Sequence, residues 1–145
     1  MRLLDASGLI AFLLDEPAAE EVGALVADGS EQAAINAVNL AEVIDRLVRV
    51  GGRDRASVLE SLLWVRAGGL DVLFADDVIA EVAGQLRARH YDRRTAALSI
   101  ADCVALATAR REGATLATTD TALARIARVE DVAVVALPDS RGHRP

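Results

Sequence analysis

Lysine is missing from this chain and cysteine nearly so: all sixteen basic residues are arginine, and Cys103 is the only thiol. A single cysteine excludes an internal disulfide, and the two histidines offer no Cys/His spacing of a zinc site. The 145 residues must therefore be held by a buried core, which that length permits within one domain. The lack of disulfides fits a reducing compartment, the cytoplasm. Aromatic residues make up only 3% against 52% hydrophobic overall. The core has to be assembled from Ala, Val, Leu and Ile, the composition of helices laid on an aliphatic sheet. No apolar run approaches the ~20 residues of a membrane span. Arg2 to Leu14 could pass for a secretory signal, but Asp5 interrupts it and Asp15, Glu16 and Pro17 close it. A soluble protein with no membrane partner is expected.

Short aliphatic runs alternate with longer helical patterns from end to end, which argues for a parallel sheet with helices on both faces. Strands are predicted at Arg2 to Leu4, Ala33 to Ile35, Leu70 to Phe74, Thr115 to Thr118 and Val132 to Leu137. Two short helices, Gly8 to Leu14 and Ala18 to Val26, are split at Pro17. Leu40 to Val50 reads as a helix capped by Asn39 and stopped by Gly51, and Arg55 to Ala67 as one capped by Asp54 and stopped by Gly68. Asp77 to Arg89, Ile100 to Glu112 and Thr121 to Arg128 complete the set, preceded by Asp76, Ser99 and Asp120. Residues 1–137 form the expected domain, and 138–145 a polar tail expected to be mobile.

Four acids stand out. Asp5 and Asp120 end strands, Glu42 opens the helix after the second strand, and Asp102 sits three residues after Ser99. Each has a structural reading: Asp5 and Asp120 as N-caps, Glu42 with Asn39 and Asp102 with Ser99 as capping boxes. Taken together they say more, because parallel α/β sheets place their sites outside the carboxyl ends of the strands. Chain order alone does not place Asp102. Several carboxylates gathered there repel one another and favour a bound cation, and an all-oxygen ligand set favours Mg²⁺, with Mn²⁺ as a substitute. Such an ion activates water against a phosphodiester. It also lets a chain of net charge −6 approach a polyanion.

The segments LLDASGLIAFLLDEP around Asp5 and Ser7, NLAEV around Glu42, LSIADCVALATA around Asp102 and GATLATTD ending at Asp120 resemble, in order and spacing, the PIN-domain ribonucleases. Within them, the pattern is similar to the VapC toxins of bacterial toxin–antitoxin pairs. The likeness runs from Arg2 to Leu137. It implies a single PIN-like domain with a five-stranded parallel sheet flanked by helices. It also implies a Mg²⁺-dependent endoribonuclease using Asp5, Glu42, Asp102 and Asp120, with Ser7 and Thr118 supporting the acids. A homodimer and a cognate VapB-type antitoxin are implied as partners, beside the RNA substrate. The family often carries an aromatic residue three places after the last acid, where this chain has Leu123.

Two other readings compete. A phosphoacceptor receiver domain also gathers acids around Mg²⁺, but it needs a lysine. A catalytically inert interaction module keeping only the PIN fold is the alternative that an assay with and without divalent metal separates. Asp45, Asp76 and Asp77 are further acidic candidates, and His90, His143 and Cys103 carry no catalytic signal. Arg87, Arg89, Arg93 and Arg94 form the densest basic cluster, suited either to an RNA backbone or to a solvated surface. On the helix Arg55 to Ala67, Leu59, Leu62, Leu63 and Ala56 gather on one side, extended by Val58 and Val65. Trp64 falls on the opposite side, where a large exposed aromatic suggests a partner contact.

Overall fold

In the structure, a computed structural model describing residues 1–145, five strands and seven helices alternate. They are β1 (Arg2–Leu4), α1 (Ala6–Leu13), α2 (Ala19–Ala27), β2 (Ala33–Asn36), α3 (Ala37–Asp45), α4 (Arg55–Ala67), β3 (Leu70–Leu73), α5 (Asp77–His90), α6 (Ile100–Glu112), β4 (Thr115–Thr118), α7 (Thr121–Val129) and β5 (Val134–Ala136). A π-helical turn, Arg46–Val50, prolongs α3. All five strands pair in parallel in the order β3-β2-β1-β4-β5, the α/β class that the alternation predicts. Element ends differ from the sequence reading by a few residues at most, with one larger exception at α3.

Successive strand residues point to opposite faces, and the two cores follow from that. Leu3, Ala34 and Leu116 face a core shared with α5, α6 and α7. Their neighbours Leu4, Ala33, Ile35 and Ala117 face a second core shared with α1 to α4. Both cores are almost wholly aliphatic, as the scarcity of aromatics requires. Cys103 is buried in the first, and burial pushes its thiol up to about 11, so it packs as an unreactive apolar residue. No helix is long and apolar enough to cross a membrane.

Two local readings are corrected. The helix carrying Glu42 starts at Ala37, not Leu40, because Asn36 rather than Asn39 is its cap, accepting from the Val38 N–H at 2.9 Å. Glu42 therefore lies mid-helix and reaches no helix-start N–H, so the capping-box reading of this acid falls away. On α4 the buried stripe is Val58, Leu62 and Val65, at spacings of four and three. Ala56, Leu59 and Leu63 instead face outward beside it, and Leu59, Leu62 and Leu63 line an apolar groove with Leu40 and Ile44 of α3.

The last residues carry contacts of their own. Asp139 accepts from the backbone N–H groups of Arg141 and His143, and Arg144 pairs with Glu21 of α2 and donates to the Ala136 carbonyl at 2.7 Å.

Candidate active site

The strand order reverses at the centre of the sheet: β1 leads to β2 and β3 on one side, while β4 and β5 lie on the other. The crevice outside the carboxyl ends of β1 and β4 is the place such a fold offers for a site. Asp5 and Thr118 meet there because β1 and β4 pair with Leu4 opposite Ala117. Asp5 is 2% exposed and is the N-cap of α1, its Oδ1 accepting from the Gly8 N–H at 2.9 Å. Gly8 permits the close approach of that turn to the segment after β5, since a Cβ there would stand 3.1 Å from the Leu137 side chain. The Ser7 hydroxyl donates to Asp5 at 2.8 Å and accepts from the Thr119 N–H at 3.1 Å. Thr118 Oγ1 donates to Asp5 Oδ2 at 2.8 Å and accepts from the Asp120 N–H at 2.9 Å. Each hydroxyl thus fixes the carboxylate of one strand end to the loop of the next.

Asp120 caps α7, its Oδ1 accepting from the Leu123 N–H at 2.7 Å. Asp102 closes a full capping box with Ser99: its Oδ2 accepts from the Ser99 N–H at 2.6 Å, and Ser99 Oγ accepts from the Asp102 N–H at 3.0 Å. In both acids one oxygen is used and the other accepts nothing from the protein. Glu42 has no cap to make, and its Oε2 is buried without a hydrogen-bond partner.

What brings Asp102 to the crevice is a pair of buried asparagines whose role chain order does not reveal. Asn36 Nδ2 donates to Thr108 Oγ1 at 3.0 Å, and Asn39 Nδ2 donates to the Ala101 carbonyl at 3.1 Å. These bonds tie β2 and α3 to α6 and set its first turn beside Glu42. The four acids then line one cleft of about 450 Å³. Glu16, Asp139 and Arg46 line it too, none of which the sequence reading selected.

Crowded carboxylates in a half-dry cleft resist ionisation. Burial pushes Asp5 up to about 7 against three hydrogen bonds that favour its charged form, and the Asp102 charge adds to the rise. Glu42 is raised by burial and then by Asp102, with Arg46 opposing. Burial also raises Asp102, with a contribution from Asp120. Asp102 is therefore the hub, felt by both Asp5 and Glu42. No three acidic, histidine or cysteine side chains are grouped so as to enclose an ion directly. The donor set nevertheless suits a hard cation that keeps part of its water shell, touching one or two carboxylates and reaching the rest through water. The orphaned Glu42 oxygen and the raised Asp5 point the same way, because a cation would satisfy the first and ionise the second.

The remaining candidates disperse. Asp45 pairs with Arg49, Asp76 caps α5 and pairs with Arg111, and His90 with Arg89 and Arg110 surrounds Glu130. Arg87 is also committed: Nε donates to the Leu98 carbonyl at 3.1 Å and the guanidinium lies 4.4 Å over the Tyr91 ring. Only Arg93 and Arg94 of that basic cluster stand free. They occupy the tip of a tight hairpin closed by Asp92 and Ala96, whose outgoing arm runs to Ala97 and Ser99 at the cleft. Trp64 is 72% exposed.

A doubly wound parallel sheet with a carboxylate cleft at its switch point defines a class of α/β protein. Within it the chain belongs to the PIN domain family, which it matches over residues 2–129. The chain is similar to the FitAcB crystal structure from Neisseria gonorrhoeae, with 27% identity and a TM-score of 0.65, covering 92% of this chain and 96% of that one. It shares its fold with VapC20 of Mycobacterium tuberculosis, described as a sarcin–ricin loop cleaving toxin: 18% identity, TM-score 0.68, covering 86% and 94%. The same holds for VapBC2 from Rickettsia felis bound to a promoter DNA fragment: 17% identity, TM-score 0.66, covering 92% and 96%. No curated protein sequence matches significantly.

Proposed function

We propose that this chain is a metal-dependent endoribonuclease acting as the toxin of a type II toxin–antitoxin pair. The observation that carries the nuclease reading is the convergence of Asp5, Glu42, Asp102 and Asp120 on one cleft, with a Glu42 oxygen buried and unpartnered. Caps explain three of these acids but not Glu42. Membership of the PIN domain family supports the same reading.

Asp5, Glu42, Asp102 and Asp120 would hold Mg²⁺ or Mn²⁺, with Ser7 and Thr118 fixing the direction of the Asp5 carboxylate. When bound, the ion lowers the pKa of water and offsets charge on the phosphate. The protein's own part is to hold the acids at fixed angles: the donors of α6 and α7 occupy one oxygen each of Asp102 and Asp120 and leave the other unengaged, while Gly8, Ser7 and Thr118 hold both oxygens of Asp5. Attack of water on phosphorus breaks the P–O3′ bond and leaves 5′-phosphate and 3′-hydroxyl ends. In this reading Arg93 and Arg94, at the hairpin beside the cleft, follow the RNA backbone.

The toxin role is supported by structural neighbours described as a toxin–antitoxin complex, from Klebsiella pneumoniae, and as a sarcin–ricin loop cleaving toxin, from Mycobacterium tuberculosis. In this reading a VapB-type antitoxin and a second copy of the chain are its partners. Trp64 and the apolar groove between α3 and α4 offer uncovered surface for them. Purified protein freed of antitoxin is expected to cleave single-stranded or looped RNA with Mg²⁺ or Mn²⁺ and to stop in EDTA. Cleavage that survives EDTA after contaminating nucleases are excluded overturns the metal mechanism. No cleavage under any condition leaves the inert interaction module.

A further inference from the structure

Arg46 is the one cation lining a cleft that also carries six carboxylates. It stands four residues after Glu42, the spacing at which an acid and a base on one helix normally pair. The pair does not form: Arg46 has no carboxylate within 4.0 Å and its guanidinium donates no hydrogen bond. The next acid and base along the same helix behave differently, since Arg49 closes on Asp45 through two bonds of 2.8 and 2.6 Å. The contrast is local. At Arg46 the helix changes to π geometry, its carbonyl accepting from the Gly51 N–H at 2.9 Å across five residues. Such turns interrupt helices at functional sites more often than elsewhere.

An arginine with five unengaged donors, lining an acidic cleft beside a carboxylate whose charge it favours but does not pair with, is available to an incoming anion. A planar guanidinium matches two oxygens of a phosphodiester at once, which lysine does not. The acids that hold a cation repel the rest of the RNA backbone, and Arg46 is the only cleft residue that opposes this.

We infer that Arg46 binds a non-bridging oxygen pair of the RNA backbone at the cleft, next to the phosphate under attack, and so positions the strand. This rests on the nuclease reading. The competing role is charge balance alone, in which Arg46 merely eases repulsion among the acids.

The two roles separate in the full-length protein carrying Arg46→Met or Arg46→Lys. Initial rates are measured on short single-stranded RNAs of mixed sequence in Mg²⁺ at several salt concentrations. Mn²⁺ affinity is measured without RNA by electron paramagnetic resonance. Arg46→Met is expected to raise KM about tenfold and to lower the slope of log affinity against log salt by about one. Arg46→Lys should restore the salt slope but only part of the KM, and Mn²⁺ affinity should stay within about twofold. Arg46 is exposed, so both variants should melt with the unaltered protein. An unchanged KM overturns the inference, and so does a KM change that merely tracks tighter Mn²⁺ binding. If the unaltered protein cleaves no RNA, the nuclease reading falls and the phosphate contact with it.

Discussion

Replacing Asp5 by Asn should stabilise the protein at alkaline pH while abolishing cleavage. Asp5 is buried and held near 7, against an ordinary value of 3.8. Between those values the folded chain binds a proton that the unfolded chain has released, so stability falls as pH rises through the interval. At about 1.4 kcal/mol per tenfold change in proton affinity, the burden is about 4 kcal/mol once the pH exceeds 7. Asparagine removes it. The amide keeps an oxygen for the Gly8 N–H and Ser7, but its NH₂ meets Thr118 Oγ1, which donates to Asp5 Oδ2. That hydroxyl must turn its hydrogen elsewhere, towards an acceptor such as Ser7 Oγ at 3.5 Å, a loss of about 1 kcal/mol. The net expectation is a gain of about 3 kcal/mol near pH 8 that shrinks towards parity near pH 5. Urea unfolding followed by circular dichroism, in EDTA at both pH values, measures it. Saturating Mg²⁺ should then raise the stability of the unaltered protein more than that of Asp5→Asn. If Asp5→Asn is destabilised equally at both pH values, the carboxylate is not electrostatically burdened and the cation argument weakens with it.

Glu42→Gln should abolish cleavage with little change in melting, because Glu42 caps nothing; a large fall in stability with full activity in the folded fraction would restore a structural role. Asp102→Asn should likewise lose activity while keeping most of its cap, at ~1 kcal/mol or less in unfolding free energy. Trp64 is the only tryptophan, so its fluorescence should be red-shifted and quenched by acrylamide in the free protein, moving to the blue when antitoxin is added. Blue, protected emission in a demonstrated monomer would place Trp64 in the core instead.

The strands and most helix starts were legible because each is marked by a local signal: an aliphatic run, a capping side chain, a glycine after the last turn. Gly113 ends α6 where expected, with a positive φ of 59° that suits glycine. Local signals also misled. Two asparagines, Asn36 and Asn39, offer themselves as caps for the same helix, and the chain uses the first while burying the second against Ala101. Nothing within a short window distinguishes them, since the difference is a tertiary contact to α6. For the same reason Asp102 is singled out by resemblance while its spacing from Ser99 predicts only a cap, and its place beside Glu42 is not legible in the sequence. The predicted apolar face of α4 is off by about one residue because eight apolar side chains surround the helix, and only Val58, Leu62 and Val65 find a core. Arg46 carries no sequence signal beyond its spacing from Glu42.

The double use of the acids follows from the fold. Each of β1 to β4 delivers the chain, at its carboxyl end, to the start of a helix whose first N–H groups lack partners. A short acid is a good cap there, and the same placement gathers the caps of α1 and α7 around one crevice. A cap uses one oxygen, leaving Asp102 and Asp120 each a second that accepts nothing from the protein. The helix dipoles also favour negative charge at these ends, offsetting part of the mutual repulsion. Three of the four acids therefore serve folding whether or not the chain has chemistry to do, and their presence alone is weak support for a nuclease. Glu42 differs. Mid-helix and half-buried, raised by Asp102 and left with an unpartnered oxygen, it makes no structural contribution that offsets its burial. The case for cation-dependent chemistry accordingly stands on Glu42 more than on the other three together, and Glu42→Gln is the substitution that decides it.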